Sequence, residues 1–281
     1  MKKSLVVMIL ICVMGAIALT SCEMTEIDTP RFSTGEIADM LYGTSPYILS
    51  SLGMDEDIVI NNPLGAPLLN IFDETTWEFA LIGAVSGENI YLYSIELETT
   101  VLYYNGQIIY FTDWPPVGLR GSFPQLLYHD FDGDGRAELA IIVHAGSGTG
   151  VALNNLYIIS FDDEGNYSVA YLRGGDVHEW MTIPMDFEMI EGTDTFRFYF
   201  AGQSYIVDCI ALEGEILINV GTCSVAMLWF EDTQIKTTVA IAMHYDRFSP
   251  SYFGEVNATV VFDGANFVIK DYVFTLYEPF E

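Results

Sequence analysis

Gln125-Leu126-Leu127-Tyr128-His129-Asp130-Phe131-Asp132-Gly133-Asp134-Gly135-Arg136-Ala137-Glu138-Leu139-Ala140-Ile141-Ile142-Val143 holds the choice between a helical and a β protein. At its centre three aspartates stand two residues apart. Gly135 follows the third, and Glu138 comes three residues after that. Calcium takes six to eight oxygen ligands at about 2.3–2.6 Å. A loop coiled around such an ion offers alternate side chains. Asp130, Asp132 and Asp134 then fall at ligand positions 1, 3 and 5, with the Arg136 carbonyl at 7 and the Glu138 carboxylate at 9. Gly133 and Gly135 permit the left-handed backbone that tight wrapping needs. Without a cation, carboxylates this close repel one another and hold protons more strongly. A helix–loop–helix calcium hand would require a bidentate Glu at position 12, and that position is Ile141. The flanking runs Gln125–His129 and Leu139–Val143 are short, apolar and partly β-branched, which predicts buried strands. The unit is therefore strand, calcium loop, strand.

The rest of the chain extends this β pattern. Asn105-Gly106 divides Val101–Tyr104 from Gln107–Phe111 and is the strongest two-residue hairpin signal. Asp162–Gly165 divides Leu156–Phe161 from Tyr167–Leu172, and Glu191-Gly192 divides Phe187–Ile190 from Thr195–Phe200. Glu213-Gly214 and Asp263-Gly264 act in the same way, the last joining Glu255–Phe262 to Asn266–Phe274. The expected fold is all-β, with antiparallel sheets joined by hairpins in a sandwich or partial propeller-like arrangement and at most one or two short helices. Ser33-Thr34-Gly35-Glu36 forms a capping box for one such helix. Gly174-Gly175-Asp176 is the one candidate waist within residues 36–281, which are expected to be a single calcium-stabilised β domain.

The first residues predict export. Lys2 and Lys3 precede an apolar run, Leu5 to Leu19, that is short for a membrane span. It ends in Leu19-Thr20-Ser21-Cys22, which resembles a bacterial lipobox. Residues 1–21 are then a lipoprotein signal peptide, Cys22 carries the lipid, and 22–35 form a polar tether. That resemblance implies a lipid-anchored protein on the outer face of a bacterial membrane. Of the remaining cysteines, Cys209 and Cys223 are open to a disulfide in an exported protein. A Glu213-Gly214 hairpin, however, would place Cys209 opposite Leu217 or Ile218, which leaves two buried free thiols as the other reading.

The chain has 39 acidic and 10 basic residues. Loss of Lys2 and Lys3 leaves eight basic against 39 acidic, a charge of −31. Phosphate binding needs Lys and Arg, so nucleic acid is excluded as a partner. Apolar residues make up 51% of the chain, so the acids coat a folded domain and do not mark a disordered tail.

No catalytic constellation is legible. His144-Ala145-Gly146-Ser147-Gly148-Thr149-Gly150 lacks the Lys of a phosphate loop and the spacing of a nucleophile elbow. It reads as a turn packed near the calcium loop. His178-Glu179 lacks a second His at position 182, which is Thr. Trp77, Trp114, Trp180 and Trp229 read as β-core rather than a sugar platform.

Asp130 to Ile141, DFDGDGRAELAI, resembles the calcium loop of FG-GAP or VCBS repeats, in which the ion ties a turn between two strands. The resemblance implies Asp130, Asp132, Asp134 and Glu138 as side-chain ligands. The motif occurs once, and a propeller needs several similar blades, so a complete propeller is not expected. Tyr103 to Asp163 also resembles a group of secreted or surface-anchored bacterial proteins that carry VCBS-type repeats. The function these readings imply is a binding module for a protein or carbohydrate ligand, with structural calcium. The alternative is a hydrolase acting on envelope or extracellular glycans.

Overall fold

The computed structural model describes residues 56–70, 78–112, 114, 123–148, 151–182, 185–209, 216–247 and 249–278. The signal segment, the tether with Cys22 and the Ser33 capping box lie outside the described residues. A short helix α1 (Glu56–Ile60) precedes a four-stranded meander of β1 (Phe79–Val85), β2 (Ile90–Ile95), β3 (Thr99–Tyr104) and β4 (Gln107–Phe111). Asn105 and Gly106 both take positive φ, 49° and 93°, as a twist-matched hairpin turn requires. A second meander follows, made of β5 (Gln125–His129), β6 (Glu138–Gly148), β7 (Val151–Phe161) and β8 (Tyr167–Leu172). Helix α2 (Gly174–Thr182) leads to a small sheet of β9 (Met185–Met189), β10 (Thr195–Phe200) and β11 (Gln203–Asp208). Long hairpins of β12 (Leu217–Glu231), β13 (Gln234–Tyr245), β14 (Ser251–Phe262) and β15 (Phe267–Leu276) end the chain.

The β5–β8 and β12–β15 meanders are one eight-stranded sheet, curled into a half-barrel. They join through a parallel contact of Val225 with Ala152 and Ala226 with Leu153. Beyond that point the same edge of β7 is taken by β8, from Leu156 to Phe161. β12 must therefore leave the edge, and its pairing with β13 slips between Thr222 and Ala226, the kind of bulge that bends a strand. Its far half runs across to β5 of the second meander, where Phe230 N donates to Gln125 Oε1 at 3.4 Å. Two buried asparagines manage the junction. Asn154 Nδ2 donates to Leu228 O on β12 at 3.0 Å, and Asn155 Oδ1 accepts from Gly174 N at 3.2 Å. Gly174 has no space for a side chain, since a β-carbon would stand 2.6 Å from Asn154 O.

β6 lies at the centre of these layers. Leu139, Ile141 and Val143 face the first sheet, in a core with Ile82, Leu92, Leu102 and Trp114. Ala140 and Ile142 face the opposite way, toward Phe196, Phe198, Leu228 and Val260. A strand covered on both sides shows no polar alternation, which is why Leu139–Val143 is an unbroken apolar run. The first sheet comes close because Gly83 of β1 has no side chain: a β-carbon there would meet Leu126 Cδ1 at 2.6 Å.

Three expectations are corrected. Gly174-Gly175-Asp176 is no waist but the first turn of α2, whose Val177 and Met181 are fully buried against the large sheet. Glu213-Gly214 lies outside the described residues, and the strands on either side belong to different sheets. β11 pairs with β10, and Leu217 pairs with Tyr245, so Cys209 has no partner across a hairpin. Cys209 and Cys223 are free thiols, and burial raises the pKa of each. The glycine-rich run at His144 is not packed near the aspartate loop. Its described part, His144 to Gly148, is the end of β6 away from Glu138, about 20–33 Å off at roughly 3.3 Å per residue.

Candidate metal centre

Hairpin geometry decides which turns share an end of the sheet. In a meander every second turn falls on the same side, so the β5–β6 loop and the β7–β8 turn are neighbours. Because β12 runs parallel to β7, the β12–β13 and β14–β15 turns fall at this end as well. The curl of the sheet then brings the β14–β15 turn over the β5–β6 loop. A cleft of about 330 Å³ opens between them, lined by Asp132, Asp134 and Glu138 on one wall, by Ser160, Asn166 and Tyr167 on the other, and by Gly264.

The loop shapes itself with its own carboxylates. Asp130 accepts from Gly133 N through Oδ1 (2.7 Å) and from Gly135 N through Oδ2 (3.0 Å). Asp132 Oδ1 accepts from Asp134 N at 2.9 Å, and Asp134 Oδ1 from Arg136 N at 2.8 Å. Glu138 Oε2 reaches back to accept from Phe131 N at 2.8 Å and so closes the loop. Gly133 and Gly135 take φ of 79° and 92°, the left-handed backbone expected of them. The amides thus point at the side chains, and the side chains point together: Asp130, Asp132, Asp134 and Glu138 each place an oxygen within 4.8 Å of the others and form a group that could hold a metal ion. Oxygens about 2.3–2.6 Å from one ion lie at most roughly 4.6–5.2 Å apart, so this spread is small enough for the four groups to reach one cation. The donors are all oxygen, as hard cations require.

Electrostatics single out Glu138. It starts β6 and is only 3% exposed. Burial raises its pKa first of all, the Phe131 amide lowers it, and the negative charges of Asp132, Asp130 and Asp134 raise it again. A cation would offset that repulsion. Beside it, Tyr128 and Tyr104 share a hydroxyl contact of 3.0 Å, and Tyr104 stacks on Phe161 with ring centroids 3.7 Å apart. Burial and the Tyr104 hydroxyl push Tyr128 upward. Arg136 turns its side chain away from the cluster to Asp163 at 3.3 Å; both groups are largely exposed, so the pair contributes little stability. Its carbonyl, assigned to ligand position 7 in the sequence, belongs to the same loop.

The structure brings together all four carboxylates that the spacing selects. It adds what spacing alone did not show: the wall from Ser160 to Ser168, and Gly264. Asp263-Gly264 was legible as a turn, but nothing local in it announces a contact with Asp132. No family model, no curated protein and no solved structure matches the chain.

Proposed function

We propose that Asp130, Asp132, Asp134 and Glu138, with the Arg136 carbonyl, bind calcium as a structural clamp, and that the domain is an extracytoplasmic binding module for a protein or carbohydrate. The observation that carries the metal reading is the convergence of four carboxylates on a loop whose own amides hold them in place. Bound calcium would offset their repulsion, fill the remaining coordination positions with water from the cleft, and fix the β5–β6 turn. The lipobox-like Leu19–Cys22 supports anchoring through a lipid on Cys22. An acidic exterior supports calcium and basic partners over nucleic acid. A glycan hydrolase would need a raised carboxyl beside a cleft that is free to act as an acid. The raised carboxyl that borders this cleft, Glu138, is engaged in the loop, which favours the binding reading.

The test is a titration of the chelator-treated protein with calcium by calorimetry, and with terbium by luminescence sensitised through the neighbouring tyrosines. One ion per chain is expected, displaced by calcium in the terbium case and lost when Asp132 and Asp134 are both alanine. A wild-type protein that takes up neither ion sinks the metal reading. For the anchor, fatty-acid labelling that persists in Cys22→Ala would do the same.

A further inference from the structure

We infer that the metal site is a clasp between the two halves of the eight-stranded sheet, with Gly264 of the β14–β15 turn as the positioning residue that keeps Asp132 in the site. This inference rests on the metal reading above. The loop belongs to the β5–β8 half and Gly264 to the β12–β15 half. Among the described residues the sheet pairs the halves at two positions, Val225 with Ala152 and Ala226 with Leu153, beside the Asn154–Leu228 and Phe230–Gln125 hydrogen bonds and a shared core. At the far end of the fold, the β14–β15 turn touches the metal loop directly. A β-carbon on Gly264 would stand 2.7 Å from Asp132 Oδ2 and 3.6 Å from its carboxyl carbon. No side chain fits there while Asp132 keeps its place.

Asp132 is thus held from both sides. Its Oδ1 accepts from Asp134 N inside the loop, and its Oδ2 occupies the space that a β-carbon at Gly264, far along the chain, would take. The preceding Phe131 packs into the same core as Phe262 and Phe267, the residues that end β14 and begin β15. The β14–β15 turn is itself fixed, since Asp263 Oδ1 accepts from Ala265 N (3.1 Å) and Asn266 N (2.7 Å). A rigid turn seated on one ligand couples the two structures. By reciprocity, if the turn favours the metal-competent position of Asp132, bound metal favours the seated turn by the same factor. Calcium would then order residues 263–267 although none of them need be a ligand.

Two measurements decide it. Hydrogen exchange of the full chain, with calcium and with chelator, is expected to slow on calcium addition at both 130–138 and 263–267. Terbium affinity is then compared in wild type, Gly264→Ala and Gly192→Ala. Gly264 and Gly192 have φ of 90° and 76°, so alanine strains both turns, but a β-carbon at Gly192 meets nothing within 4 Å. Gly264→Ala is expected to weaken terbium binding roughly 10–100-fold, the scale for losing a group that orients a ligand. Gly192→Ala should leave affinity unchanged while lowering the melting temperature. If wild type binds the ion but Gly264→Ala binds it equally well, or if calcium slows exchange at 130–138 and not at 263–267, the clasp is wrong and the metal site stands. If wild type binds no ion, both fall. Should Gly264→Ala fail to fold, the exchange pattern of the wild type still decides.

Discussion

The β5–β6 and β7–β8 connections are both acidic turns at the same end of one sheet, and they have opposite characters. Asp162 closes its turn entirely with local partners: Glu164 N at 2.9 Å, Asn166 N at 2.8 Å and Asn166 Nδ2 at 2.9 Å. Those bonds, the Asn166 side chain first, hold its carboxyl below the usual range. Asp130 to Glu138 instead aim four carboxylates at one point and leave Glu138 raised. The first turn satisfies its charge; the second concentrates it. Alternation makes the difference: in the consecutive run Asp162 and Glu164 are both engaged by the Asn166 side chain and Asp163 by Arg136, while Asp130, Asp132 and Asp134 share one side of a coiled loop. The strands that follow differ as well. β6 is buried on both faces from Glu138 to Val143, whereas β8 is mostly exposed from Tyr167 to Val169.

The largest contrast should come from those strands. Ile141→Ala is expected to cost about 2–5 kcal/mol in chemical denaturation, as for a fully buried aliphatic truncated between two layers. The half-exposed Val169→Ala should stay within roughly 0.5–1 kcal/mol. Equal losses would mean that the two hairpins are anchored alike.

The metal sets the next effect. For a site with Kd near 10⁻⁴–10⁻³ M in about 1 mM calcium, linkage gives roughly 0.4–1.4 kcal/mol. In a domain of this size that is about 1–5 °C in Tm. Asp132→Ala with Asp134→Ala should erase that calcium increment. Asp162→Ala should lower Tm by the same amount with and without calcium. A calcium increment that survives the double variant, or disappears in Asp162→Ala, would reverse the roles assigned to the two turns.

Glu138→Gln separates charge from shape. Its amide oxygen can still accept from Phe131 N, while the buried negative charge is gone. In chelator the variant should melt above the wild type, and in calcium it should gain less than the wild type does. A variant that is less stable in chelator would show that the hydrogen bond, not the charge, dominates at this position.

The smallest effect is in pH. A carboxyl whose folded pKa is raised contributes stability below the unfolded value near 4.5, and that contribution is lost as pH rises through the folded value. Asp162 and Asp263, held low by turn hydrogen bonds, contribute above the ordinary aspartate value, and their share is lost as pH falls through their depressed values. The metal-free protein should therefore lose stability on both sides of the mildly acidic range. The loss on the neutral side should vanish in Glu138→Gln, and thermal melts across pH in chelator will show whether it does.

Local chemistry accounts for what was legible in advance. β5 and β6, the Asn105-Gly106, Asp162–Gly165, Glu191-Gly192 and Asp263-Gly264 turns, and the four convergent carboxylates are each set by neighbours in the chain: alternation, positive φ, apolar runs and backbone amides within a few residues. The errors have one cause. Gly174-Gly175-Asp176, the candidate waist, begins α2, and the neighbour that crowds Gly174 there is Asn154, twenty residues earlier. Glu213-Gly214 suggested a hairpin, but pairing partners elsewhere took both flanking strands.

The aspartate loop was therefore written in the sequence, since its four carboxylates lie within nine residues and its own amides arrange them. Its surroundings were not. Which sheets cover β6, how β8 and β12 divide one edge of β7, and why Gly264 rests on Asp132 depend on contacts between residues far apart in the chain. Such contacts have no local signature, because closing a long loop is decided by the burial it allows and not by the residues at its ends.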